Sequence, residues 1–377
     1  MPELVVVAEQ VLAPVPGGTA RYTRELVRAL AATAPAGWEV STVVARHADP
    51  SAAIIPGANG PRVLSLPRRA LTAAWERGLP LWPGGDSLHA PTPLAPARAK
   101  RGRSLVVTVH DTVPWTHPET LTRRGVSWHR RMITRAVERA DAVVVPTAAV
   151  AADLSLHAPG STRVEVIGEG VPASLREPSE SIREAVVRRL AVPRRYLLAV
   201  GTVEPRKGLD VLIKALAEDV VPDVPLLVVG AQGWGKVDLA ALARAAGLDA
   251  GRVRQLGAVT DVDLGVLLHG AAALVAPSQA EGFGLPVLEA MAAGVPVVHS
   301  DAPALVEVAG GAGISVPRND ATALARALRT VLTDAEHAAA MVDAGRLRAR
   351  DHTWENAARL AWRVHERCYA AASAKIT

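Results

Sequence analysis

Apolar residues along the chain come in short blocks, separated by longer segments in which they return every three or four positions. Blocks at residues 4–7 (LVVV), 38–45, 63–66, 104–110 (SLVVTVH), 141–146 and 163–167 have the length of buried strands. Between the first two, residues 19–33 carry Tyr22, Leu26, Val27 and Leu30 at helical spacing, and residues 122–140 and 147–157 also predict helices, the first of them basic. Residues 14–18 (PVPGG) predict a loop. Residues 172–184 are polar and interrupted by prolines, which predicts a linker. A second series follows, with strands expected at 196–201, 226–230, 252–257, 273–277, 295–300 and 314–317 and helices at 209–218, 239–246 and 322–332. Strand–helix alternation predicts parallel sheets with helices on both faces. Two such series around a linker predict two Rossmann-like domains. Residues 353–372 form a last amphipathic stretch bearing Trp354, Leu360, Trp362, Val364 and Tyr369.

Composition narrows this picture. A length of 377 residues suits two domains. Aromatics are 3% against 49% apolar overall, so Ala, Val and Leu must fill the cores. The single cysteine, Cys368, excludes an internal disulfide and fits a reducing compartment. The opening MPELVVVAEQVLAP lacks a basic region and its apolar run has strand length, so it reads as a strand and not as a signal peptide; no window approaches a membrane span. A cytoplasmic protein is expected. The net charge of +5 suits nucleic acid, an anionic membrane face or an anionic small substrate. Nothing resembles a nucleic-acid-binding module, which sets the first aside. Basic groups at 68–69, 98–103, 123–124 and 130–131 share the first half with Trp75, Trp82, Trp115 and Trp128. Cations with tryptophans can dock a protein peripherally on an anionic membrane at its inner face; solvated helix faces over core tryptophans are the plainer reading.

Candidate chemistry concentrates at residues 281–298, EGFGLPVLEAMAAGVPVV. A carboxylate, Glu281, precedes a small-residue turn, Gly282-Phe283-Gly284, and Pro286 suits a first helical turn. A short apolar helix carries one charge, Glu289, and ends at Gly294 before a buried strand. A helix N-terminus offers N–H groups and partial positive charge to an anion, and carboxylates accept from sugar hydroxyls. The stretch thus suits a phosphate flanked by polyols. Residues 200–208, VGTVEPRKG, follow an expected strand and precede a helix, at the edge where open α/β sheets bind ligands. Arg206 and Lys207 there can hold a diphosphate, although the helix dipole disfavours cations at that end.

Glu281 and Glu289, seven residues apart within EGFGLPxLEAMAxGxPVV, resemble the motif of the retaining GT-B glycosyltransferases, group 1 or family-four-like. The resemblance covers nearly the whole chain and is strongest at 197–317. It implies a GT-B fold: two Rossmann-like domains facing across a cleft, 1–172 with the terminal helix 354–377 taking acceptor and 173–353 taking nucleotide sugar. The terminal helix is expected to cross back to the N-terminal domain. By the same resemblance Glu289 grips ribose, Glu281 faces the transferred sugar, and the backbone amides of Phe283, Gly284 and Leu285 cap the distal phosphate. Arg206 and Lys207 hold the phosphates, although Thr202 stands where many relatives carry arginine. Residues 257–261, with Val259, resemble the base-pocket segment. Gly17 and Gly18 resemble the glycine loop under the donor phosphates, and Arg21 beyond them can meet an acceptor anion. His110, in VTVHD, resembles the histidine facing the donor sugar, with Asp111 orienting the ring or touching acceptor.

The resulting expectation is a metal-independent, retaining hexosyltransferase without cofactor, acting by same-face displacement on a glycan or lipid-linked acceptor. The cleft is expected to close on the donor. The EPRK form of the basic loop resembles mannosyltransferases and favours GDP-mannose over a UDP- or ADP-sugar. The rivals are a nucleotide-sugar epimerase of the same fold and a glycoside hydrolase using Glu281 and Glu289 as its acid pair.

Overall fold

The computed structural model describes residues 1–13 and 17–375; the expected loop at 14–18 falls largely outside them. The chain divides into two compact units, Met1–Gly170 with Thr353–Thr377, and Val171–His352.

In the first unit the strands are β1 (Glu3–Val7), β2 (Glu39–Arg46), β3 (Asn59–Pro67), β4 (Ser87–Ala90), β5 (Ser104–Thr108), β6 (Ala142–Val145) and β7 (Val164–Val166). The helices are α1 (Gly18–Ala32), α2 (Arg68–Glu76), α3 (Val113–Thr116), α4 (Arg123–Arg139) and α5 (Ala148–His157). The strands pair in the order β3-β2-β1-β4-β5-β6-β7, and every pairing is parallel. That order places the crevice between β1 and β4, whose following loops leave in opposite directions. Strands buried on both faces read as unbroken runs of valine and leucine, as β1 and β6 do. Each such side chain contributes about 1.5–3 kcal/mol on full burial.

β4 was not expected from the pattern, because its four residues, SLHA, alternate leucine and alanine with serine and histidine. It nevertheless lies at the centre of the sheet, paired to β1 and β5. Its polar side chains are buried and hydrogen-bonded, which removes the cost that otherwise keeps them out of a core.

The second unit opens with α6 (Glu180–Leu190). Here the expected linker at 172–184 is corrected: its prolines precede a helix that starts after Ser179 and is rich in Glu, Arg, Ala and Leu, good helix formers. The strands are β8 (Leu197–Val200), β9 (Leu226–Val229), β10 (Val253–Gly257), β11 (Ala273–Ala276), β12 (Val297–Ser300) and β13 (Ile314–Val316). Interleaved with them are α7 (Leu209–Leu216), α8 (Leu239–Ala245), α9 (Asp261–Gly270), α10 (Leu285–Ala293) and α11 (Pro303–Ala309), and then α12 (Ala321–Thr333) and α13 (Ala335–Ala349). The order β10-β9-β8-β11-β12-β13, again all parallel, places the crevice between β8 and β11.

The last helix, α14 (Trp354–Ser373), belongs to the first unit. Trp354, Ala358, Ala361, Trp362 and Cys368 face a core shared with β1 and α1, and Trp362 Nε1 donates to the Leu30 carbonyl at 3.1 Å. Leu360, expected on the apolar face, lies on the outer one. Among the described residues no helix is long and apolar enough to cross a membrane.

Candidate functional site

The crevice of the second sheet is lined by Gly201, Lys207, Ser278, Glu281 and Gly284. β8 delivers the chain to a single turn, Pro205–Lys207, closed by Gly208 at φ +65°. A Cβ on Gly208 would stand 2.2 Å from the Pro277 carbonyl oxygen, so this turn and the loop after β11 touch only because the residue is glycine. Arg206 fastens the same two loops. Its Nη1 donates to the Ala280 carbonyl at 2.6 Å and lies 3.5 Å from Glu281 Oε2, while Nη2 donates to Glu204 at 2.7 Å.

Lys207 Nζ donates to Glu281 Oε1 at 2.6 Å, and Ser278 Oγ donates to the same oxygen at 2.7 Å. Burial opposes ionisation of Glu281. The charges of Lys207 and then Arg206, with the hydrogen bonds from Lys207 and Ser278, outweigh it and pull the carboxyl down to about 2. Such a group is ionised throughout the ordinary pH range and cannot be the protonated acid that a glycoside hydrolase needs. Gly284, at φ +101°, caps α10 without a side-chain acceptor, so the first N–H groups of this helix face the same crevice.

The structure therefore brings together Arg206, Lys207, Glu281 and Gly284. Phe283 and Leu285 turn their side chains into the core, where backbone N–H is what they offer. Glu289 lies further along α10 and is 1% exposed. Val259 sits on the loop between β10, the edge strand, and α9. Two further residues were missed from the pattern. Glu204 and Ser278 complete the ion cluster, and nothing in their spacing signals it.

In the first unit His110 follows β5. Its Nε2–H donates to the Pro91 carbonyl at 2.8 Å, and Nδ1 stands 3.7 Å from Glu169 Oε1. Burial alone would lower the pKa of this ring; the Glu169 carboxylate, helped by Pro91 and Asp111, raises it instead. Nδ1 thus faces the Glu169 carboxylate, which biases the ring towards its charged form. The ring is oriented by Glu169 and Pro91. Asp111, expected to orient the ring or touch acceptor, accepts from the Val113 N–H at 3.1 Å through Oδ1, and its charge also favours the protonated ring. Glu169 was missed, although an acid between two glycines after a strand was the available signal. Gly170 is required there, since a Cβ would stand 2.3 Å from the Trp354 nitrogen.

Gly17 caps α1 in extended conformation and Gly18 is its first residue. A Cβ on either would meet nothing within 4 Å, so neither packing nor a left-handed φ accounts for the pair. Arg21 lies on the first turn of α1, and Tyr22 beside it meets the His110 ring edge-on, with centroids 4.5 Å apart. Trp75 is fully buried, and Trp82, Trp115 and Trp128 pack against the core, so these four do not form an exposed docking face. The exposed apolar groups of this region are Leu79 (48%) and Leu81 (40%).

Residues 183–348 match the family described as Glycosyl transferases group 1, and residues 16–175 match Glycosyltransferase Family 4. The chain is 31% identical over 277 residues to O-antigen chain mannosyltransferase B of Escherichia coli, covering 71% of each. It is 32% identical over 295 residues to phosphatidyl-myo-inositol mannosyltransferase of Mycobacterium leprae, covering 74% of this chain and 73% of that one. Its fold is similar to that of sucrose-phosphate synthase from Thermosynechococcus elongatus, with a TM-score of 0.77 over 98% of this chain and 100% of that one at 24% identity. With two Rossmann-ordered parallel units and these matches across both, the chain belongs to the group 1, family-four-like glycosyltransferases of GT-B fold.

Proposed function

We propose that this glycosyltransferase moves mannose from GDP-mannose to a glycan or lipid-linked acceptor, with retention at the anomeric carbon and without a metal or cofactor. The observation that carries the reading is the ion cluster of Lys207, Arg206, Glu281 and Glu204 beside the uncapped start of α10, in the β8–β11 crevice. Departure of the diphosphate places negative charge where Lys207 and the helix N-terminus can receive it. Arg206 holds the two loops in register while Lys207 exchanges Glu281 for phosphate. Glu281 then remains as the acceptor for a sugar hydroxyl, Glu289 holds ribose, and Val259 lines the base pocket. In the same-face step the acceptor oxygen bonds to the anomeric carbon as its bond to phosphate breaks, and the acceptor proton passes to the leaving phosphate oxygen. No protein base enters. Two relatives named as mannosyltransferases and the EPRK form of the basic loop support mannose over a UDP- or ADP-sugar.

The first unit takes the acceptor in this reading, with Arg21 and Asp111 at its carboxyl edge and the space beside Gly17 and Gly18 open to a phosphate. A peripheral contact with an anionic membrane at its cytoplasmic face is assigned to Leu79 and Leu81, flanked by Arg77, Arg98, Lys100 and Arg101, all exposed.

Calorimetry with GDP, UDP and ADP tests the base, and turnover of GDP-mannose with and without EDTA, followed by NMR of the product anomer, tests the rest. GDP should bind tightest, and EDTA should leave the rate unchanged with an α-mannoside as product. Preference for UDP or ADP overturns the donor, an inverted product overturns the mechanism, and loss of rate in EDTA overturns metal independence.

A further inference from the structure

A line of hydrogen bonds crosses the interior of the first unit, where valines and leucines form the rest of the core. Ser104 on β5 donates from its hydroxyl to Ser87 Oγ on β4 at 2.7 Å. Ser87 Oγ lies 2.7 Å from His365 Nδ1 on α14, and His365 Nε2 lies 2.9 Å from His89 Nδ1 on β4. His89 Nε2 lies 2.9 Å from Thr108 Oγ1 on β5, which lies 3.3 Å from the Tyr22 hydroxyl on α1. All six side chains are buried.

Ser104 donates to Ser87. One set of tautomers then satisfies every later link, with Ser87 giving its own proton to His365 Nδ1. His365 Nε2–H then donates to His89 Nδ1, and His89 Nε2–H to Thr108. Each link uses one proton and both rings are neutral. Burial, and then the repulsion of His110, pushes the His89 pKa down to about 3; burial, and then His89, pushes His365 well below the usual range. Removing any member leaves a buried donor or acceptor unmatched, so the line behaves as a unit.

A purely structural core needs no such line, since apolar side chains of the same volume fill the space without desolvating polar groups. The two ends differ. One closes at Ser104, at the start of β5. The other reaches Tyr22, whose ring stands edge-on to His110 at 4.5 Å and to Trp354, the first residue of α14, at 5.6 Å. The terminal helix thus reaches Tyr22 twice, through His365 and through Trp354.

We infer that His365, His89 and Thr108 are positioning residues, which act through Tyr22 to fix the ring of His110, so that the terminal helix sets the wall facing the transferred sugar. The inference rests on the reading of His110 as that wall. Its geometry can be tested apart from that reading.

The decisive variant is Thr108→Val, which keeps the shape and removes the hydroxyl joining His89 to Tyr22; Tyr22→Phe breaks the next link. Ring-labelled histidine NMR reads the His110 titration directly. Thr108→Val should shift the His110 midpoint by about half a unit or more. It should also lower kcat about tenfold, with donor KM held within about twofold. His365→Gln, whose amide both donates and accepts, should retain more activity than His365→Leu. If His365→Leu does not fold, Thr108→Val still decides. Folded Thr108→Val and Tyr22→Phe proteins with the parent His110 midpoint overturn the inference, whatever the rate. His110→Ala with undiminished turnover overturns instead the role of His110, while a shifted midpoint in Thr108→Val still upholds the wiring.

Discussion

The two units share the order of their first six strands, but the β8–β11 crevice and the line beside β4 match polar groups in different ways. At the β8–β11 crevice, charge is matched with charge: Lys207 and Arg206 against Glu281 and Glu204. Inside the first unit, two histidines and their hydroxyl partners are matched without any charge. The difference follows from access. Lys207 stands at an open edge, where a phosphate can replace the carboxylate it holds. The members of the histidine line are buried, and each inner one is bonded to a neighbour on either side. On the proposed reading, the ions of the crevice stand where a phosphate exchanges with one of them, and the neutral line stands where only position is needed.

The largest expected effect tests whether the charged cluster stabilises the second unit. Glu281 is held at about 2 against an ordinary 4.5. A depressed carboxyl contributes stability that is complete above the ordinary value and is lost as pH falls towards the folded one. The contribution is about 3 kcal/mol for a shift of this size, disappearing between pH 4.5 and 2. Urea denaturation followed across that window should show the parent losing stability that Glu281→Gln never had. Parallel curves for the two proteins would mean that the cluster is electrostatically idle.

Next in size is ligand exchange at Lys207. A charge-assisted contact contributes about 1.5–3 kcal/mol, so Lys207→Ala should weaken nucleoside diphosphate binding by at least about tenfold while the fold stays intact. Calorimetry that returns the parent affinity would remove Lys207 from the phosphate site and leave it a structural partner of Glu281.

The smallest effect sharpens the contrast from the other side. His110 is the group of the first unit whose ring is biased towards charge, and Glu169 is the main source of that bias after burial, which opposes it. A raised histidine contributes stability below its ordinary value of 6.5, lost as pH rises through the higher folded value. Glu169→Gln should bring the NMR titration midpoint of His110 down to 6.5 or lower and abolish that pH dependence. A midpoint that stays high would assign the bias to Asp111 and the Pro91 carbonyl.

Much of this was legible in the sequence, for a local reason. Strand periodicity, the Gly284 and Gly294 ends of α10 and the cations of VGTVEPRKG depend on residues close together in the chain. Short parallel strands of Val and Leu also read as strands wherever they occur, which is why the two series appeared as two units. What stayed hidden was contact between distant segments. Nothing near Lys207 announces Glu281, 74 positions away, or that Arg206 clasps the loop that carries it. β4 hid because its serine and histidine look wrong for a core strand until His365, 276 positions from His89, arrives to satisfy them. The stretch at 172–184 read as a linker because its prolines are local, whereas α6 is fixed by packing against α9. Apart from β4 and α6, the sequence by itself determined most of the segments that become strands and helices and which residue types stand at the sheet edges. Only the tertiary structure decided which of those residues meet, since a buried hydrogen bond or ion pair depends on separations of about 3 Å that no spacing along the chain encodes.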